Sequence, residues 1–297
     1  MDKLRKIYNK DIKYYKKYLK EKKINYKKLI KYFSKLNPSE DQRFDPNLFF
    51  LPQKKDLGFV KLKMKNNSVE YEYFVSAYQT TNAQFNSFLI NSNYKCKYKY
   101  QINEHNHPVA WVTWHDAMAY CDWLHKSLKS KITQKHSVKL SKTFKDLIYN
   151  NNYKICLLSE KEWLFAATLD KNLLYPWGNR VSVNNCNFKT SKLNKTCPVG
   201  CYIEGTSESG LYDLSGNTWE WLRTKWGPSF EERKYKKTDI ISDDRDNIYT
   251  EKKFLKAMKG GSFAVEYKRL KINFEDAVTP ESADDADGFR IGIVKLS

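Results

Sequence analysis

The chain has 297 residues, 41% hydrophobic and 15% aromatic, which supplies a packed core and excludes global disorder. Its formal net charge is +19, yet only 8 of its 53 basic residues are Arg, and the lysines are spread along the chain. Base-edge reading favours the arginine fork, so this charge predicts weak association with polyanions and no specific nucleic-acid role. No apolar run reaches the ~18–20 residues of a membrane span. Residues 1–6 carry no apolar stretch of the kind a secretory signal needs, so a cytoplasmic protein without a transmembrane segment is expected.

Residues 1–56 read as a Lys/Tyr-rich helical extension. Leu4, Tyr8, Ile12, Tyr15 and Leu19 recur at helical spacing, as do Tyr26, Leu29, Ile30 and Phe33, and Asn37-Pro38 stops the pattern. Such a stripe docks on the main domain or on a partner; a membrane-surface helix is the alternative.

The texture changes at residue 57. Three helices are expected, each opened by a side-chain cap. Thr81 with Gln84 precedes Phe85, Phe88 and Leu89. Thr113 with Asp116 precedes Ala117, Tyr120, Cys121 and Leu124. Ser159 with Glu162 precedes Trp163, Ala166 and Ala167. Residues 126–152 read as a polar insertion with a short helix around Phe144, Leu147 and Ile148, and residues 239–251 as an exposed loop rich in acid at Asp243, Asp244 and Asp246. The cysteines (Cys96, Cys121, Cys156, Cys186, Cys197, Cys201) form no CxxC pair. Cys186, Cys197 and Cys201 could begin a zinc site, but no second pair supports one, so buried reduced thiols are expected.

Toward the C-terminus, residues 210–221 set Asp213, Asn217 and Glu220 beside two aromatic anchors, Trp219 and Trp221, around Gly216. Polar groups packed among aromatics must be satisfied by a metal, by backbone donors or by a ligand. Lys259-Gly260-Gly261-Ser262-Phe263 reads as a close backbone approach.

Taken in order, these stretches resemble the sulfatase-modifying-factor domain, the family of the formylglycine-generating enzyme, over roughly residues 57–296. The resemblance is carried by Tyr78-Gln79-Thr80-Thr81-Asn82-Ala83-Gln84-Phe85, by His107-Pro108-Val109 with residues 112–117 and 120–124, and by residues 158–163 with Ala166-Ala167. Tyr175-Pro176-Trp177-Gly178, Pro198-Val199-Gly200, residues 210–221, Gly260-Gly261-Ser262-Phe263 and Gly288-Phe289-Arg290 complete it. It implies an α+β, C-type-lectin-like fold: a small twisted antiparallel sheet, few helices and much irregular structure in a domain of residues 57–297.

The resemblance also implies where chemistry would sit. The two cysteines that bind copper in the formylglycine-generating enzymes correspond to Val265 and Leu270. Neither can supply a thiolate to soft Cu(I), so copper is not expected. The iron-binding HxxxHxE pattern of another branch is absent from the five histidines (His105, His107, His115, His125, His136); His105 and His107 read as an exposed pair. A calcium ion is implied at the counterparts Asp213, Gly216, Thr218 and Glu220, where two carboxylates and backbone oxygens suit a hard cation, or cap backbone N–H groups, or pair with Lys. A second calcium site is represented only by Asn187-Phe188 and should be empty.

The acidic C-terminal segment (Glu266, Glu275, Asp276, Glu281, Asp284, Asp285, Asp287) stands out in a basic chain. It reads as a solvated loop or as a groove wall. The first functional reading is a non-catalytic protein binding a peptide or small molecule through Trp226, Phe263, Glu266, Tyr267, Arg269, Asp284, Asp285 and Asp287. The second is a copper-independent oxidase or maturation factor with Glu266 or Glu275 as base. A variable display scaffold is the third, against which the segment lacks an Asn-rich texture.

Overall fold

The computed structural model describes residues 12–66, 69–97, 104–132, 139–234, 244–249 and 254–296. Leu4, Tyr8, His136, Asp239, Asp243 and Glu251, and parts of both expected loops, lie outside them.

The N-terminal extension folds as α1 (Ile12–Glu21) and α2 (Tyr26–Phe33), the second capped by the Asn25 side chain accepting from the Lys28 N–H. Tyr26, Leu29 and Phe33 are buried against Ala77, Tyr78, Val199 and Tyr202, and Tyr26 stacks on Tyr202 at 4.6 Å. The stripe therefore docks on the main body. A short hairpin, β1 (Phe44–Asp45) and β2 (Leu51–Pro52), follows. The buried Arg43 fork meets Asp41 at 2.7 Å, donates to the Val199 carbonyl and lies over the Phe33 ring.

The main body begins with β3 (Phe59–Asn66) and β4 (Val69–Ser76), then α3 (Asn82–Ser92), α4 (Trp114–Ile132) and α5 (Lys142–Tyr149). β5 (Tyr153–Leu157) and α6 (Glu160–Thr168) lead into a long irregular stretch, after which come β6 (Trp219–Lys225), β7 (Lys256–Lys259), β8 (Asp276–Val278), β9 (Asp287–Phe289) and β10 (Ile291–Lys295). All three expected caps form. Thr81 and Ser159 make full capping boxes with Gln84 and Glu162, and the Thr113 N–H donates to Asp116 at 2.9 Å.

Among the described residues, besides the β1-β2 hairpin, the strands form two four-stranded sheets, β3-β4-β10-β5 and β8-β7-β6-β9, rather than one. The first is antiparallel; in the second, β6 pairs with β9 in parallel, which departs from the expected antiparallel sheet. Between them an aromatic core joins Phe85 and Phe88 of α3, Tyr120 of α4, Trp221 of β6 and Phe289 of β9.

Within the expected insertion the short helix around Phe144 forms as α5, and α4 continues through Leu128 to Ile132. Leu128, Ile132, Phe144 and Ile148 are buried, Phe144 against Phe59 and Phe74, while the other described residues of 126–152 are exposed or half-buried. Phe144→Ala should therefore lower the unfolding free energy by about 3–5 kcal/mol in urea titrations, whereas the exposed neighbour change Lys145→Ala should stay within about 0.5 kcal/mol.

Candidate functional site

The polar centre is built on Glu220 of β6, which is 1% exposed. Arg290, in the single residue between β9 and β10, meets it with Nη2 at 2.8 Å and with Nε at 3.1 and 3.0 Å from the two carboxylate oxygens. The same guanidinium donates to the Ser76 and Tyr212 carbonyls at 2.9 and 2.6 Å. The Trp163 indole donates to Glu220 Oε2 at 2.8 Å. Gln79, just past β4, directs its Nε2 to Glu220 Oε1 and to the carbonyls of Asp213, Gly216 and Thr218.

The loop that presents those carbonyls is tightly specified. Gly216 has φ +85°, and a Cβ there would lie 2.4 Å from the Asn187 carbonyl, so only glycine fits. Asn217 accepts from the Cys197 N–H and returns an amide bond to the Cys197 carbonyl. The Asp213 carboxyl turns away from the other oxygens to accept from the Gly200 N–H at 2.7 Å, and burial pushes it up to about 6. The Asn187 amide nitrogen donates to the Lys195 carbonyl and to Asn217 Oδ1, while its oxygen is buried without a hydrogen-bond partner.

Among the described residues no three His, Cys, Asp or Glu side chains converge as a metal site. Cys186 lies in a different apolar cluster from Cys197 and Cys201, and burial pushes all three thiols up. His105 and His107 are buried, not exposed as expected. His107 Nδ1 is 2.9 Å from the Thr196 hydroxyl, and burial pushes its pKa down to about 4.

The positions corresponding to the copper cysteines do meet in space. A Cβ added at Gly261 would lie 2.9 Å from Leu270 Cδ2 and 3.2 Å from Val265 Cγ2. Leu270 is fully buried with Tyr175, Cys186 and Phe188, and Val265 packs on that cluster. An aliphatic pair closes the space, so this donor set does not fit copper.

Two cavities flank Trp111, a residue the sequence reading did not single out. One, about 140 Å³, is lined by Trp111, Phe263, Asp285, Glu104 and Asn82 among others. The other, about 800 Å³, is lined by Trp111, Tyr94, Cys96, His115, Asp116 and Glu281 among others. Trp111 is 54% exposed and sits at φ +59°, its N–H donating to the Asp284 carbonyl. Left-handed backbone is costly for a bulky side chain, and this one is held by its surroundings.

Of the groove residues expected from sequence, Phe263 and Asp285 line the smaller cavity. Asp284 hydrogen-bonds Asp285, which raises the Asp285 carboxyl to about 6. Asp287 is buried, and its carboxyl is pushed up to about 7 by that burial and by Asp284, Asp276 and Asp285 around it. Glu266, Tyr267 and Arg269 are exposed on a separate turn, Glu266 pairing with Lys189 at 3.0 Å. Trp226 lines neither cavity: its indole N–H is satisfied by the Phe230 carbonyl and Arg233 covers its ring. Glu275 pairs with Arg233 at 2.7 Å.

Two sheets, a few capped helices and a long irregular segment pinned to a buried Arg–Glu pair define an α+β domain of the formylglycine-generating type. The profile of the sulfatase-modifying factor enzyme 1-like domain matches residues 54–294, and the chain belongs to that family. It is 27% identical over 193 residues to the inactive C-alpha-formylglycine-generating enzyme 2 of Mus musculus (62% of this chain, 48% of that protein). It is 28% identical over 203 residues to the formylglycine-generating enzyme of Thermomonospora curvata (62% and 55%). The chain thus spans about half the length of these curated relatives. Among solved structures, PvdO from Pseudomonas aeruginosa aligns with a TM-score of 0.53 at 16% identity, over 80% of this chain and 92% of that one. Treponema denticola variable protein 1 aligns with a TM-score of 0.52 at 17% identity, over 79% and 99%. These two share the fold.

Arg290→Met strands a buried carboxylate and should cost about 3–5 kcal/mol by chemical denaturation, with Glu220→Gln added to it recovering a large part. The Asp287 carboxyl is raised, so its contribution is fully present below the ordinary carboxylate range and is lost as pH rises through about 7. Asp287→Asn should accordingly be more stable than the native chain at pH 8, by about 2–4 kcal/mol, with the gap closing toward pH 4.

Proposed function

We propose that this chain is a non-catalytic binding member of its family, taking a peptide or small molecule that carries a positive charge across Trp111. The observation that carries the reading is the convergence of Val265 and Leu270 beside Gly261, where the resemblance calls for a thiolate pair. Val265 and Leu270 cannot supply a thiolate pair to Cu(I), and Cys186, the thiol packed in the same cluster, is a single sulfur whose ionisation burial opposes. The name of one relative, an inactive formylglycine-generating enzyme, fits the same description.

Trp111 supports the binding half of the reading. An exposed aromatic ring between two cavities is a ready contact for a ligand. The carboxylates beside it are Asp285 on one side, where Glu104 is already paired with Lys195 at 2.8 Å, and Asp116 and Glu281 on the other. Residues 275–289 contain six acidic residues and no Lys or Arg, in a chain of net charge +19. A cationic group over Trp111 gains both the ring face and these carboxylates. Six free thiols support a reducing, cytoplasmic location as part of the proposal. An oxidase using Glu266 or Glu275 draws no support from the geometry, since each is paired with a cation and lines neither cavity.

Intrinsic fluorescence titrated with lysine- and arginine-containing peptides should saturate, and Trp111→Ala should weaken the binding roughly tenfold or more. In an oxygen electrode the native chain with a cysteine-containing peptide should consume nothing. Oxygen uptake coupled to aldehyde formation would reverse the proposal.

A further inference from the structure

The residues implied as a calcium site do converge, but on a side chain of this protein. Gln79 Nε2 lies 2.9 Å from the Thr218 carbonyl, 3.1 Å from Glu220 Oε1, 3.2 Å from the Asp213 carbonyl and 3.5 Å from the Gly216 carbonyl. Gln79 is 1% exposed and Thr218 and Glu220 are no more so, leaving the amide enclosed. We infer that the Gln79 amide occupies the place a cation would take in this loop, with Arg290 supplying the positive charge, so that the loop closes without metal.

Two physical arguments separate this from a metal site. The first is occupancy. The amide nitrogen is within hydrogen-bond reach of all four oxygens, the Thr218 carbonyl and Glu220 Oε1 nearest at 2.9 and 3.1 Å, so the space a cation would need between them is filled. The second is charge. Only one of the four oxygens belongs to a carboxylate, and that carboxylate already binds a buried guanidinium through both oxygens. The other three are neutral carbonyls, and the Asp213 carboxyl is committed to the Gly200 N–H. A dication placed there would be desolvated against a carboxylate that is already neutralised.

The orientation of this one amide is therefore decisive. Turned over, it would set Oε1 against the same four oxygens, a repulsion only a cation could relieve. As placed, Oε1 is left without a partner, and the nitrogen satisfies the loop. A carboxylate at the same position would face those oxygens as an anion, so Gln79→Glu should convert the metal-free loop into a cation site.

The test uses the full chain. Elemental analysis after dialysis should find no stoichiometric calcium, and the melting temperature of the native chain should be the same in excess calcium chloride and in EGTA. Gln79→Glu should melt lower in EGTA and recover by several degrees in calcium, the response expected at about a hundred times Kd. It should also sensitise terbium luminescence through Trp163, which the native chain should not. Gln79→Met, which lacks the donor, should lose stability equally in both buffers. Stoichiometric calcium in the native protein, a fall of its melting temperature in EGTA, or a folded Gln79→Glu indifferent to calcium would each overturn the inference. Should Gln79→Glu not fold, the native measurements alone decide.

Discussion

The guanidinium of Arg290 is the point on which the two sheets depend. β9 belongs to one sheet and β10 to the other, and Arg290 is the single residue between them. Its donors reach the end of β4 at Ser76, the irregular segment at Tyr212 and β6 at Glu220. A buried ion pair is costly unless its remaining donors and acceptors are also met. Here Nε, Nη1 and Nη2 all find oxygens, and Glu220 receives Trp163 and Gln79 besides. The completeness of the network ties β4, β6 and the irregular segment to the one residue that joins the two sheets.

The same logic explains three arginines of this lysine-rich chain. Arg43, Arg223 and Arg290 are all buried, and each holds a carboxylate with a planar fork. Arg43 ties the extension to the body through Asp41 and the Val199 carbonyl, and Arg223 ties β6 to α6 through Glu162. Lysine, with one ammonium, cannot satisfy two oxygens and a carbonyl from one fixed plane. Arg180 and Arg269 are exposed, so Arg alone marks no such position; what singled out Arg290 in the sequence was its place in Gly288-Phe289-Arg290.

What else was legible follows from how local each signal is. The helix caps are encoded within four residues, and all three formed where the spacing put them. The continuation of α4 was hidden because Lys126 faces away from Leu128 and Ile132 while Lys129 and Lys131 flank them half-buried, so a lysine-rich helix looked like a loop. The parallel pairing of three-residue β9 with β6 has no local signature, since contacts far apart in sequence create it. Trp226 was misplaced and Trp111 overlooked for one reason. Single aromatics carry no periodicity, so nothing in the letters says which will be capped by a carbonyl and which left open beside a cavity.

Fold and chemistry are separable here because different atoms maintain them. Residues 213–220 and 260–263 are joined through the backbone, the Gly216 N–H donating to the Gly260 carbonyl and the Phe263 N–H to the Asn217 carbonyl. Phe263, on the wall of the smaller cavity, is therefore positioned by the polar centre around Glu220. Val265 and Leu270 hang from the far side of the same turn and pack on Tyr175, Cys186 and Phe188. Val265 and Leu270 thus contribute apolar burial to that cluster, while none of the side-chain hydrogen bonds around Glu220 involves them. The polar centre and the aliphatic cluster are therefore held by separate side chains, joined through the backbone of residues 260–263.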